Sequence, residues 1–113
     1  MKKKCLLIAI FALLSTIGFT EKIHAEQIRI IATTFPIYQF CRNITKDCDV
    51  ELSLLLPASL GCPHDYALTP QDMIKLSKAD VLAINGLGLE EFLGAPLQKA
   101  NPKIKIIDSS SGT

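Results

Sequence analysis

The chain carries almost no net charge, and that absence removes one class of function. Twelve Lys and Arg stand against eleven Asp and Glu. Four of the basic side chains and one of the acidic lie in the first 25 residues, so residues 26–113 hold eight basic against ten acidic groups. A nucleic-acid-binding surface needs a basic stripe. Aromatics make up only 6% of the chain, and the stretches around Phe35 and Tyr66 contain no interleaved Lys or Arg. Nucleic acid is not an expected partner.

Long apolar runs are equally scarce. The one present, residues 5–19, falls short of the roughly 20 residues that a membrane-spanning helix requires. It follows Lys2, Lys3 and Lys4 and leads through Ile23 and His24 to the small residue Ala25. A basic start, a short apolar core and a small residue at the cut describe a secretory signal peptide. Residues 1–25 are therefore expected to be a leader cleaved after Ala25, with residues 26–113 delivered to the periplasm. No cysteine stands at the end of the apolar run, so lipid attachment there is not indicated; Leu60-Gly61-Cys62 lies about forty residues too far along.

The sequence also lacks internal repeats and low-complexity tracts other than Ser109-Ser110-Ser111. With 49% apolar and 20% charged residues, it has the balance of a globular chain rather than a disordered one. Cysteines are few: beyond the leader there are Cys41, Cys48 and Cys62. Export permits disulfides, and Cys41 with Cys48 could pair if the end of a helix folds back on its loop, leaving an odd thiol. That pairing stays open.

What is present is an alternation of short β-rich runs with helical segments. Residues 28–33 read as a buried strand. Thr34 is placed to cap the helix that follows, with Pro36 in its first turn. Ile37, Phe40, Cys41 and Ile44 fall at the spacing of a single inward face. Residues 50–56 form a second strand. After a loop over residues 57–69, Thr69-Pro70-Gln71-Asp72 signals another helix start: a capping hydroxyl, a proline and a carboxylate. Residues 80–85 give a third strand and 104–108 a fourth. Between them residues 89–93 read as a short helix, weakened by Gly94 and ended by Pro96. Such alternation indicates right-handed βαβ units and an α/β fold on a parallel sheet. The core that 88 residues can form is small, and the pattern looks unfinished.

Ligands of open α/β sheets bind beyond the carboxyl ends of the strands. The loop over residues 57–69 lies there, and its thirteen residues exceed the usual connection of about 4–6. It holds the one histidine outside the leader, in Gly61-Cys62-Pro63-His64-Asp65-Tyr66. A neutral imidazole on a proline-stiffened loop is a good ligand for a borderline metal such as zinc. Taken alone, one histidine is more often a surface residue beside a turn than a metal ligand. Asp65 is in reach to orient the ring, although adjacent side chains tend to point apart. Tyr66 reads as packing under the loop. Glu90 and Glu91 read as a solvated helix start that favours its positive end. Gly86-Leu87-Gly88 lacks the third glycine of a dinucleotide fingerprint.

The stretch GCPHDYALTPQDMIKLSKADVLAINGLGLEEFL, with IRIIATTFPIYQF before it and IIDSSSG after it, resembles the metal-binding solute receptors of zinc and manganese ABC transporters, the cluster A-I family. The resemblance spans essentially all of residues 26–113. It implies a periplasmic receptor that captures a divalent transition metal, zinc ahead of manganese, and hands it to a membrane permease. It also implies a monomer and no enzymatic step. By it His64 is the first metal-binding histidine; no other residue here matches a family ligand. Family members have two α/β lobes with the metal between them, so residues 26–113 correspond to the first part of an incomplete N-terminal lobe. The other ligands, further histidines and a carboxylate, would lie beyond Thr113. One departure concerns Cys62, which stands where the family commonly has an acidic residue; a thiolate two residues from an imidazole could join a metal site, but a partly buried thiol is the plainer expectation.

Two alternatives belong to other classes. One is a thiol enzyme with Cys62 as nucleophile and His64 as base, for which no orienting third group is evident. The other is a non-transporting fragment.

Overall fold

The computed structural model describes residues 26–112; the expected leader lies outside the described residues. Four strands, β1 (Ile28–Ala32), β2 (Val50–Leu54), β3 (Val81–Ile84) and β4 (Lys105–Asp108), alternate with three helices, α1 (Phe35–Ile44), α2 (Pro70–Lys78) and α3 (Gly94–Ala100). Short 3-10 turns occupy Pro63–Asp65 and Glu91–Leu93. The strands form one parallel sheet in the order β2-β1-β3-β4. The α/β architecture expected from the alternation is the one observed.

Side-chain alternation decides which helix covers which face. Ile31 of β1 and Leu82 of β3 are register partners, and both point into a core shared with Leu76 of α2 and Leu97 of α3. Their neighbours Ala32 and Ala83 point the other way, against Ile37, Tyr38 and Cys41 of α1. Two alanines at that position let the helix sit close on the strands. The chain leaves β1 towards β2 through α1, then crosses back over β1 through α2 to reach β3. Right-handed crossovers in opposite directions put their helices on opposite faces. The carboxyl ends of β1 and β3 therefore flank a topological switch point, the usual place for a ligand crevice in such sheets.

Two local expectations are corrected. In α1, Phe40 and Ile44 are 65% and 79% exposed, not inward. Ile37 and Cys41, one turn apart, do face the sheet, but Tyr38 completes the stripe. A single helix over strands carrying small residues buries only a narrow band, and Ile44 ends the helix. Around Pro96, a helix begins rather than ends: the 3-10 turn Glu91–Leu93 runs directly into α3, with Pro96 at its third residue. The first turn of a helix has no internal use for backbone N–H groups, so proline fits there. The core nearby is closed by Leu93 and Leu97, 3% and 5% exposed.

The sheet is covered unevenly. All four residues of β4 are exposed, and Ile106 and Ile107 are about half exposed, one on each face. Among the described residues no helix is long and apolar enough to cross a membrane.

Candidate metal-binding edge

His64 is held at the rim by a loop anchored at both ends. On the entry side the chain continues β2 for two residues, with Leu55 N–H donating to Ala32 O (2.9 Å) and Leu56 N–H to Thr33 O (3.1 Å). Leu55 and Leu56 are buried. The chain then turns out to the 3-10 turn Pro63–Asp65, which Tyr66 N–H closes on Pro63 O (3.1 Å). On the exit side stands the helix start read from the sequence. Thr69 Oγ1 accepts from Asp72 N–H (3.2 Å), and the Asp72 carboxylate accepts from Thr69 N–H (2.9 Å), the reciprocal capping box. The same carboxylate oxygen accepts from Thr69 Oγ1 (2.7 Å) and from the Tyr66 hydroxyl (2.9 Å).

Asp72 is buried. Burial pushes its carboxyl up, but the hydrogen bonds from Thr69 and Tyr66, with Lys75 nearby, outweigh burial and hold it below the ordinary carboxylate value. Tyr66 answers in the opposite sense: donating to Asp72, with some burial and the carboxylate's charge, raises its hydroxyl above the ordinary value. Its ring packs edge-on against Phe92, 5.9 Å between centroids. Tyr66 does pack under the loop, and it ties the backbone two residues after His64 to the start of α2. His64 and Asp65 are both exposed. No side-chain hydrogen bond joins Asp65 to the imidazole among the described residues.

The switch point itself is filled by a residue that local sequence reading placed in solvent. Glu90 is 8% exposed. One carboxylate oxygen accepts from Thr33 Oγ1 (2.7 Å) and Asn85 N–H (2.7 Å), the other from Gly86 N–H (3.0 Å). It thus staples the end of β1 to the end of β3. Beside it Gly86 has φ +85°, and a Cβ there would collide with Asp108 Oδ1 and Ser110 Oγ. Asp108 accepts from Ser110 N–H (2.8 Å) and Oγ (2.7 Å), a local turn that brings the end of β4 against Gly86. The helix-start pattern around Glu90 carries no signal of this burial. Only the proximity of β1 to β3 creates it.

Between the start of α1 and the His64 loop lies a cavity of about 300 Å³, walled by Thr34, Phe35, Leu56, Pro63, Asn85 and Leu89 among others. Its lining is mainly apolar. Thr34 occupies the N-cap position of α1, but its side chain does not cap. Its buried Oγ1 has no hydrogen-bond partner among the described residues. The expected side-chain cap is not made; Thr34 serves the helix start through its backbone alone, its carbonyl accepting from Tyr38 N–H (2.9 Å).

No group of three His, Cys, Asp or Glu side chains gathers in metal-binding geometry among the described residues. His64 alone supplies one imidazole to the rim, which fits a shared site and falls short of a complete one. Cys62 is exposed rather than partly buried. Cys41 and Cys48 are both free thiols. Cys41 packs against Ala32 and Ala83, where burial pushes its thiol up, so it is a core residue and not a reactive one.

Comparison with known proteins agrees with this geometry. Residues 30–113 match the family model described as zinc-uptake complex component A, periplasmic. The chain is 31% identical over 88 residues to the high-affinity zinc uptake system protein ZnuA of Bacillus subtilis, covering 78% of this chain and 27% of that protein. It is 29% identical over 96 residues to the manganese ABC transporter substrate-binding lipoprotein PsaA of Streptococcus pneumoniae, covering 80% and 30%. A solved zinc-bound ZnuA deletion mutant superimposes with a TM-score of 0.71 at 33% identity, over 78% of this chain and 33% of that one. The chain spans less than a third of the length of these curated relatives. Their names describe uptake and binding proteins, not enzymes. With the family model matching residues 30–113, the chain belongs to the family of periplasmic zinc-uptake component A proteins.

Proposed function

We propose that this chain contributes to extracytoplasmic capture of a divalent transition metal, zinc ahead of manganese, for delivery to the permease of an ABC transporter. The observation that carries the reading is His64: an exposed imidazole at the carboxyl edge of a parallel sheet, on a loop fixed by the Asp72 capping box and Tyr66. The metal is the cargo. His64 is its first ligand, and the remaining donors come from outside residues 26–113. Residues 1–25 act as the export leader, and the rest as the first part of a lobe that works as a monomer.

A borderline nitrogen donor accepts zinc more readily than manganese, which prefers oxygen. Structural zinc sites hold four ligands and catalytic ones at least three from protein. The full chain should therefore bind zinc weakly, with no tight site of its own. In isothermal titration, weak binding that disappears in His64→Ala supports the reading. Zinc binding that is unchanged in His64→Ala overturns it. The thiol-enzyme alternative loses ground because the described residues place no orienting group on the His64 ring.

A further inference from the structure

Every Lys and Arg among the described residues lies at one end of the sheet. The helices run back against the strands, so each helix ends beside the strand starts. Arg42, Lys75, Lys78 and Lys99 stand in the last turns of α1, α2 and α3, where helix dipoles favour cations. The others lie outside the helices: Arg29 near the start of β1, Lys46 just after α1, and Lys103 and Lys105 where the chain enters β4. Five carboxylates share this amino edge with the eight cations: Glu26, Asp47, Asp49, Glu51 and Asp80. The carboxyl edge, where His64 stands, carries Asp65, Asp72, Glu90, Glu91 and Asp108 and, among the described residues, no Lys or Arg. The fold is therefore electrically polarised along its strands.

The positive excess is concentrated at one corner. Asp47, Asp49 and Glu51 sit beside β2. At the other side, where α2 and α3 end and β4 begins, stand Lys75, Lys78, Lys99, Lys103 and Lys105, all exposed. The carboxylate at that corner, Asp80, is engaged by Arg29, accepting from its backbone N–H (2.8 Å) and its Nε (3.5 Å). Lys78 and Lys103 both line a groove of about 460 Å³ with Arg29, Asp80 and Asn101. The same edge also exposes two large apolar side chains, Ile28 at the start of β1 and Ile44 at the end of α1.

We propose that the amino edge docks on an anionic lipid surface, with the five-lysine corner against the headgroups and the His64 edge turned to the aqueous side. Such a surface attracts the lysines that approach it, and its field fades within a Debye length of about 8–10 Å. The near edge thus sets the orientation, and the carboxylates of the far edge disfavour the reverse one. Cations with exposed apolar neighbours suit a lipid interface better than an acidic polypeptide. The path of the chain agrees. Glu26 enters β1 at this edge, and six residues separate it from the apolar run over residues 5–19, a reach of about 20 Å. On the proposed reading of residues 1–25 as a leader, export holds this same edge towards the bilayer. Metal ligation by His64 is not required.

The test takes the exported form of the chain, its mass showing where the leader was cut, and sediments it with lipid vesicles. Binding is expected with mixed phosphatidylcholine and phosphatidylglycerol, not with phosphatidylcholine alone, and should be released by salt. Each cation near such a surface contributes about fivefold, so Lys78→Glu combined with Lys103→Glu should lower partitioning at least about tenfold. Both lysines are exposed, and far-ultraviolet circular dichroism checks that the variant folds. Asp65→Asn combined with Glu91→Gln, at the far edge, should bind as the native chain does. In Cys48→Ser, a charged maleimide should alkylate Cys62 equally fast with and without the mixed vesicles; protection of Cys62 refutes the orientation. A native chain that stays in the supernatant, or a double lysine variant that sediments like it, overturns the proposal. Failure to bind vesicles together with retention on polyglutamate would assign the corner to an acidic polypeptide instead.

Discussion

Replacing Glu90 gives the sharpest measure of how the strand ends are held. The native carboxylate satisfies three donors at the switch point: Thr33 Oγ1, Asn85 N–H and Gly86 N–H. Glu90→Gln keeps one oxygen, enough for the Thr33 and Asn85 pair, and sets an amide N–H₂ against the buried Gly86 N–H. Leaving one such donor unsatisfied costs about 1–3 kcal/mol. Glu90→Ala orphans all three donors and opens a void, so about 3–6 kcal/mol is expected when those penalties are combined. A chain of this size holds roughly 5–10 kcal/mol in all, and the alanine variant should sit near the edge of folding. Urea unfolding followed by circular dichroism reads both values, with Glu91→Gln as a control that stays within about 0.5 kcal/mol because Glu91 is exposed. A Glu90→Gln variant within about 0.5 kcal/mol of native would refute the reasoning: it would mean that water replaces the carboxylate freely.

Three further outcomes follow from the same geometry. Gly86→Ala combines a positive φ with a collision against Asp108 and Ser110, and should lower the melting temperature by roughly 8 °C or more, equivalent to about 2 kcal/mol. Leu87 adopts φ +54° while 85% exposed. Leu87→Asn, which tolerates the left-handed region, should raise the unfolding free energy by about 0.5 kcal/mol, read as a higher urea midpoint with unchanged slope. Tyr66→Phe should cost about 1–2 kcal/mol at pH 7 by removing a hydrogen bond to a buried carboxylate. It should also change the pH profile at both ends. Asp72 is lowered on folding, so its contribution is complete above its ordinary value of 3.8 and fades as pH falls through the lower folded value. Tyr66 is raised, so its contribution is complete below its ordinary value of 10.0 and is lost as pH rises through the higher folded value. Urea midpoints from pH 3 to 11 should show a shallower alkaline loss in Tyr66→Phe than in the native chain.

The local signals were legible where one residue type solves one backbone problem. Thr69, Pro70 and Asp72 announce the start of α2, and the structure builds that capping box atom by atom. The alternation of strands and helices fixed the α/β class, and the length of the loop after β2 marked the edge on which His64 stands. Pro96 shows the limit: proline ends one helix and begins another with equal ease, and only the packing of Leu93 and Leu97 against Leu76 decides which. Thr34 shows it again, since a residue suited to capping is instead packed with its hydroxyl unpartnered among the described residues.

Sequence by itself determined the chemistry on offer in the loop after β2: one imidazole, a nearby thiol and a proline between them. It also determined the parallel sheet, because apolar runs of strand length separated by helical stretches have few other ways to bury themselves. Tertiary structure decided what lies at the switch point. Glu90 reads as a solvated carboxylate until β3 is laid beside β1; then Thr33, Asn85 and Gly86 converge on it from residues up to 57 positions away. Tertiary structure likewise decided which face of α1 is inward, since the helical period gives a stripe but not the width of the strands it must cover. Contacts between residues distant in sequence are set by how crossovers close over a sheet, and no local pattern encodes that closure.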